Sequence, residues 1–216
     1  MVSRKYKILS ISLKEKKKNR YVITLSNNNT FEVSEDVLID KSLYLNKEIY
    51  KADLDKILLS ESFSGIRESA LVFLSYRMRS KKELYQKLVK KGYKNDMVLE
   101  TISDFEKKGW LDDEKFGLAY SREQINRNSL GPIALKYKLK QFLDSEELIQ
   151  QISSAIYSEI EIEEIIKKVL LRYKASVIAD DERLKRKLIN KLKRKGHYWQ
   201  DIDSVLNNYL SPQNFN

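Results

Sequence analysis

Two stretches decide the fold: Lys82–Phe105, KELYQKLVKKGYKNDMVLETISDF, and Lys187–Leu210, KLINKLKRKGHYWQDIDSVLNNYL. Set with Gly92 on Gly196, they match without a gap. Leu84 falls on Leu188, Lys87 on Lys191, Leu88 on Leu192, Val98 on Ile202, Ile102 on Leu206 and Phe105 on Tyr209. Apolar residues three and four apart mark one helix face, and the glycine stands where a left-handed residue ends a helix. Each copy thus reads as helix, glycine stop, helix. A weaker copy, Leu135–Ile156, keeps Leu135, Leu139, Leu143, Leu148 and Ile152 but lacks the glycine. Such short units cannot bury their apolar stripes alone, so neighbours must stack.

Around the repeat, helix punctuation continues from about Ser62 to the end. Ser80-Lys81-Lys82-Glu83 has capping-box spacing, as do Asp144–Glu147 and Ser158–Glu161. Asp112 suits a helix cap, Gly131-Pro132 places a proline at a first helical position, and Gly109, Gly196 and Ser211-Pro212 read as stops. The first third differs. Tyr6–Ser12, Tyr21–Leu25 and Thr30–Val33 are rich in β-branched and aromatic residues, with Asn27-Asn28-Asn29 as a turn. They predict a small antiparallel sheet. Ser34 with Glu35 and Asp36 starts a helix, and Lys51–Ser60 reads as another short one. The expected protein is mainly α: three tandem three-helix modules in an elongated curved array (residues 62–110, 111–158 and 159–216), preceded by a small β-containing domain (residues 1–61).

Composition narrows the function classes. The 216 residues carry 41 Lys and Arg against 31 Asp and Glu, a formal charge of +10, with 42% hydrophobic residues. Mean hydropathy is −0.54 and the sequence pI about 9.4. The absence of cysteine excludes disulfides, thiolate zinc sites and cysteine nucleophiles. One histidine leaves few metal or acid–base schemes. There is no apolar run of membrane-spanning length and no signal peptide at MVSRKYKILS, so a cytoplasmic protein is expected. No phosphate-binding glycine loop, G-x-S-x-G, H-E-x-x-H or C-x-x-C occurs. No enzyme, cofactor or metal is expected. The enzymatic alternative is a metal-dependent nuclease using carboxylates, but the acids fall at cap and surface positions.

The stretch ALVFLSYRMRSKKELYQKLVKKGY from Ala70 resembles the opening module of the RecX regulatory proteins. GWLDDEKFGLAYSREQINRNSLGPIALKYKLKQFL from Gly109 resembles the following family segment, in which an L-D-D-x-x-F-A-type motif leads into a helix and a turn. Here that motif is Leu111-Asp112-Asp113-Glu114-Lys115-Phe116-Gly117, with glycine where alanine is usual. The likeness runs from about Ser69 to Leu210. It implies a modulator of the RecA recombinase that binds in the groove of the RecA–DNA filament. Members generally suppress strand exchange, ATP hydrolysis and co-protease activity, in DNA repair and the SOS response. It also implies binding to single- and double-stranded DNA, by what we expect to be a monomer.

Charge is organised along the chain. Gln141–Ile166 holds seven acids and no Lys or Arg, whereas Arg172–Gly196 holds ten basic residues against three acids, a net of +7. On a helix from about Asp181, Leu184, Leu188 and Leu192 face the core. Lys185, Arg186, Lys193 and Arg194 then point outward, flanked by Lys187, Lys191 and Lys195. Such an arc can meet several phosphates without reading sequence. The plain alternative is a solvated helix, and the family resemblance favours contact with DNA or the filament. Arg77 and Arg79 form a second basic corner, facing either an anion or a helix end. The loop Lys16-Lys17-Lys18 reads as a soluble tip. In His197-Tyr198-Trp199 a ring could stack on an unpaired base, but a staple for the next helix is the preferred reading, and Trp110 is assigned to the core. Asp112 and Asp113 are read as helix-start residues rather than a metal pair, and Glu161, Glu163 and Glu164 as a solvated acidic start. A general basic DNA-binding architectural protein without RecA specificity is the functional alternative.

Overall fold

Alternating apolar residues build an antiparallel sheet at the N-terminal end of the computed structural model, which describes residues 4–15 and 19–211. Its strands are β1 (Lys5–Leu13), β2 (Arg20–Leu25), β3 (Thr30–Ser34) and β4 (Glu48–Tyr50), in the order β3-β2-β1-β4. Asn28, at φ 62°, turns β2 into β3. The loop Lys16–Lys18 lies outside the described residues. The β1–β2 register shifts between Ile8 and Ser10, after which Ile11 pairs with Ile23. This bulge lets both Ile8 and Ile11 pack on the core face, which strict alternation would forbid. Helix α1 (Glu35–Asp40) starts at Ser34, whose hydroxyl accepts the Val37 N–H. The short edge strand β4 was not foreseen; its Ile49 completes the sheet core with Ile23, Leu25, Val33 and Ile57.

The expected helix end at Ser60 does not occur. Helix α2 runs unbroken from Lys51 to Tyr76, about 39 Å at 1.5 Å per residue. The serines just beyond that point are bonded within and beyond the helix. Ser62 bonds back to the Leu58 carbonyl at 3.0 Å, and Ser64 meets Ser34 at 3.0 Å. Glu61 accepts the Ser34 N–H at 2.6 Å and pairs with Arg20 at 2.7 Å, tying the helix to the sheet.

Two compact units result. The first comprises residues 1–77 and 84–107 and so adds α2, most of α3 (Lys81–Lys90) and α4 (Asn95–Lys107) to the sheet. Leu84, Leu88, Val98, Ile102 and Phe105 are buried, as the repeat required. Gly92, at φ 97°, ends α3, with the Tyr93 N–H reaching the Leu88 carbonyl at 3.4 Å. Tyr93 also donates its hydroxyl to the Gly65 carbonyl at 2.9 Å.

The second unit comprises residues 78–83 and 108–216. Helices α5 (Asp113–Asn128), α6 (Pro132–Leu139) and α7 (Glu146–Glu159) surround Phe116, Ile125, Leu135, Leu139, Leu143, Ile149, Ile152 and Ile156. Asp112 caps α5 by accepting the Lys115 N–H at 2.9 Å, and this backbone bond lowers its carboxyl pKa. The cap of α7 is Ser145 rather than Asp144, and Ser158 lies inside α7, bonded to the Ala155 carbonyl. An alanine at Gly117 would strike Ile152 Cδ1 and approach Leu143 Cδ1 to 3.3 Å. The Ile152 Cδ1 occupies the place of the missing methyl.

Helices α8 (Ile162–Leu170), α9 (Ala175–Asp180), α10 (Glu182–Arg194) and α11 (Trp199–Tyr209) form the next group. The short helix α9 is an addition to the expected three. Ile165 joins the α5–α7 core while Ile166 joins Val169, Leu170, Ile178, Leu188, Leu192, Ile202, Val205 and Leu206, so α8 serves both cores. Gly196, at φ 84°, repeats the stop at Gly92, with the His197 N–H on the Leu192 carbonyl at 3.3 Å. Pro212 lies outside the described residues. Among those residues no helix is long and apolar enough to cross a membrane.

Candidate nucleic-acid interface

Asp181 starts α10 by accepting the N–H groups of Arg183 at 2.8 Å and Leu184 at 3.0 Å. Leu188 and Leu192 then enter the core, with Leu184 and Ile189 packed against it. That burial fixes the rotation of the helix. At about 100° per residue, Arg183, Arg186, Lys187, Asn190 and Arg194 fall within an arc of about 100° on the opposite face. These five line a shallow depression of about 580 Å³ that contains no acid. Among the described residues, none of its four cations has a carboxylate within salt-bridge reach. Lys193, also exposed, flanks the arc, its ammonium 4.7 Å from the centroid of the Trp199 ring.

The structure divides the sequence-predicted residues. Arg186, Lys187, Lys193 and Arg194 are exposed together. Lys185 does not point outward. It falls on the buried side of α10, between Leu192 and Ile189 in projection, and its half-buried side chain pairs with Glu182 at 3.7 Å. Lys191 is likewise half-buried. Lys195 donates its ammonium to the Asn128 carbonyl, and burial, with Lys191 and Arg172 nearby, lowers its pKa. Arg79 is buried in an ion pair with Glu83, both side chains only about one-tenth exposed (9% and 11%). Arg77 is exposed at the C-terminal cap of α2, in the first unit. Arg183, which the sequence reading did not single out, lines the same face, and its spacing from Arg186, Lys187 and Arg194 carried the signal.

A clasp within the second unit holds the C-terminal end of α10. The Gly131 N–H donates to the Lys195 carbonyl at 2.8 Å, and the Ile133 N–H to the Gly196 carbonyl at 3.1 Å. A methyl group at Gly131 would stand 2.5 Å from the Gly196 carbonyl, and one at Gly196 would strike Ala134. His197 is buried, its Nε2 at 3.0 Å from the Ser129 carbonyl. That acceptor selects the Nε2–H tautomer. Burial lowers the His197 pKa, against the opposing pull of the Ser129 carbonyl and Asp201. Tyr157 donates to the neighbouring Leu130 carbonyl at 2.8 Å.

The aromatic residues depart from their expected packing roles. Trp110 is 52% exposed, with Lys108 at 5.3 Å from its ring, and is not a core residue. Tyr198 and Trp199 are 45% and 49% exposed; only His197 of that trio is buried. Asp112 caps α5, and Asp113 accepts the Lys81 N–H at 2.8 Å. Among the described residues no three His, Asp or Glu gather as a metal site requires.

Comparison with known proteins agrees with this architecture. Residues 67–105 match the family model "RecX, first three-helix domain". The "Regulatory protein RecX" of Clostridium tetani (strain Massachusetts / E88) is 27% identical over 208 residues, covering 94% of each chain. That of Geobacillus sp. (strain WCH70) is 30% identical over 204 residues, covering 92% of this chain and 75% of its own. A solved structure described as "Crystal structure of regulatory protein RecX" superposes with a TM-score of 0.73 at 24% identity, covering 94% of this chain and 99% of that one. The crystal structure of RecX from Lactobacillus salivarius gives a TM-score of 0.62 at 22% identity, covering 69% and 97%. With the repeat, the family motif and a 30% identical relative spanning nearly the whole chain, the protein belongs to the RecX family of regulatory proteins.

Proposed function

We propose that this chain binds the RecA–DNA filament as a cytoplasmic monomer and restrains RecA's recombinase, ATPase and co-protease activities during DNA repair and the SOS response. It acts without catalysis or a cofactor. The small β domain and the three helical modules, residues 1–61, 62–110, 111–158 and 159–216, serve as successive contact elements. Within this reading, Arg183, Arg186, Lys187 and Arg194 of α10 meet phosphates. The supporting observation is that these cations share one exposed face with no acid among its lining residues, in a chain of a family named for regulation. Four phosphate contacts give a log–log salt slope of about −3 on single strands.

The test is RecA ATPase on single-stranded DNA with and without the protein, alongside binding to filaments and to bare DNA across a salt series. Inhibition and tighter binding to filaments are expected. Equal affinity for filaments and bare DNA would instead indicate an architectural DNA-binding protein without RecA specificity. Reversing Arg183, Arg186, Lys187 and Arg194 to Glu should weaken binding and flatten the salt slope, whereas Lys185→Glu should do so far less. Unchanged binding in the quadruple variant removes α10 from the interface.

A further inference from the structure

Tyr198 and Trp199 follow the basic face directly, at the start of α11, and each keeps nearly half of its surface in water. What distinguishes these two from the other exposed aromatic residues is their place, adjacent to each other and to a cationic face. Holding the turn does not explain that place. Gly196 and His197 already fix it, through the Ile133 N–H bond to the Gly196 carbonyl and the His197 contact with the Ser129 carbonyl.

The rings have a cationic neighbour instead. The Lys193 ammonium stands 4.7 Å from the Trp199 ring centroid. In helical projection Lys193 lies about 20° beyond Arg186, so the phosphate-facing arc runs out at the indole. A nucleotide has the same layout, with its base and its own phosphate separated by one sugar. The ammonium lies over one face of the indole, so a base stacks on the other face or displaces the lysine as it turns to the phosphate. A duplex keeps its bases paired and stacked, so it can use the arc but not the ring.

We infer that Trp199, assisted by Tyr198, is a stacking platform for an unpaired base, and that the α10–α11 corner therefore takes a single DNA strand in preference to duplex. The inference rests on the phosphate-binding reading of α10 and specifies its ligand.

The chain has two tryptophans, Trp110 and Trp199, so Trp110→Phe leaves Trp199 as sole reporter. In that background, oligo(dT) should quench tryptophan emission and a duplex of equal length should not. Trp199→Ala should weaken oligo(dT) binding roughly 5- to 100-fold, with duplex binding changed by less than about 3-fold. Trp199→Phe should recover most of the loss, and an abasic strand should bind wild type and Trp199→Ala alike. Absence of quenching, or equal effects of Trp199→Ala on oligo(dT) and duplex, overturns the stacking platform and leaves the face open to an acidic protein surface. The α10 reversals separate the two readings. If they abolish oligo(dT) binding while Trp199→Ala does not, only the stacking inference fails. If they leave it intact, the phosphate reading fails.

Discussion

Three glycines of the second unit allow the α6–α10 clasp to be weighed directly. Gly109 has a left-handed backbone (φ 70°) and open space where a side chain would sit. Gly131 has an ordinary backbone (φ −89°), but a Cβ there would stand 2.5 Å from the Gly196 carbonyl and the His197 nitrogen. Gly196 combines both conditions, with φ 84° and a Cβ that would meet Ala134, its Cβ at 2.6 Å. An alanine at Gly109 therefore costs backbone strain alone, about 1 kcal/mol. At Gly131 the obstruction is backbone, which cannot rotate away. Separation would weaken the bonds joining Gly131 to Lys195 and Ile133 to Gly196, giving about 2–3 kcal/mol from overpacking and bond loss. At Gly196 strain and clash combine to about 3–4 kcal/mol.

Urea unfolding followed by tryptophan fluorescence reads this unit, because Trp110 and Trp199 both lie in it. With a slope of about 2 kcal/mol/M, midpoints should fall by about 0.5 M for Gly109→Ala and about 1.5–2 M for Gly196→Ala. The double variant Gly131→Ala with Gly196→Ala should cost less than the sum, since both break one contact. A Gly196→Ala midpoint within about 0.2 M of Gly109→Ala, or a silent Gly131→Ala, would refute the close approach.

Two other perturbations separate structure from binding. Arg79→Met leaves the Glu83 carboxylate without its arginine in a site about one-tenth exposed, so stability should drop by about 3 kcal/mol while DNA affinity stays unchanged; a selective loss of DNA affinity would return Arg79 to the interface. His197 has a folded-state pKa below its unfolded value, so the unfolded chain takes up the proton first, and stability should decline as pH falls below about 6.5. As the chain holds one histidine, denaturation midpoints between pH 7 and 5 should lose this slope in His197→Phe. An unchanged slope would assign it elsewhere.

What was legible in the sequence was what local chemistry determines. The cap at Asp112, the helix start near Asp181 and the stops at Gly92, Gly109 and Gly196 depend on residues within one helical turn, and they fall where read. The repeat was equally visible, because Leu84 and Leu88, like Leu188 and Leu192, must share a face to be buried. Features decided by distant partners were not legible. The helix expected to end at Ser60 continues, and nothing nearby in the sequence announces that Glu61 will bind Arg20 and Ser34. Trp110 follows a glycine stop and resembled a core residue, and Trp199 resembled a staple for the next helix, yet exposure depends on which helix arrives opposite. The placement of Lys185 was legible and misread, since the spacing that buries Leu188 and Leu192 also turns Lys185 inward.

The two charged segments differ in how their charges are paired. Four of the seven acids in the acidic stretch are paired within its own unit: Asp144 with Lys82 at 2.8 Å, Glu146 with Lys140 at 2.7 Å, Glu159 with Arg122 at 2.9 Å and Glu164 with Lys167 at 3.0 Å. The α10 face is not balanced. Arg183 stands three and four residues from Arg186 and Lys187, where like charges on one helix face repel by a few tenths of a kcal/mol per pair. A helix selected only to cover the core would place acids there, as α10 does with Glu182 beside Lys185. The unrelieved repulsion is the cost expected of a surface completed by an anion. A single Arg186→Glu substitution should therefore leave the urea midpoint unchanged or slightly higher while weakening DNA binding. A lower midpoint would show the arginine stabilising the fold, and the charge argument for the site would fall with it.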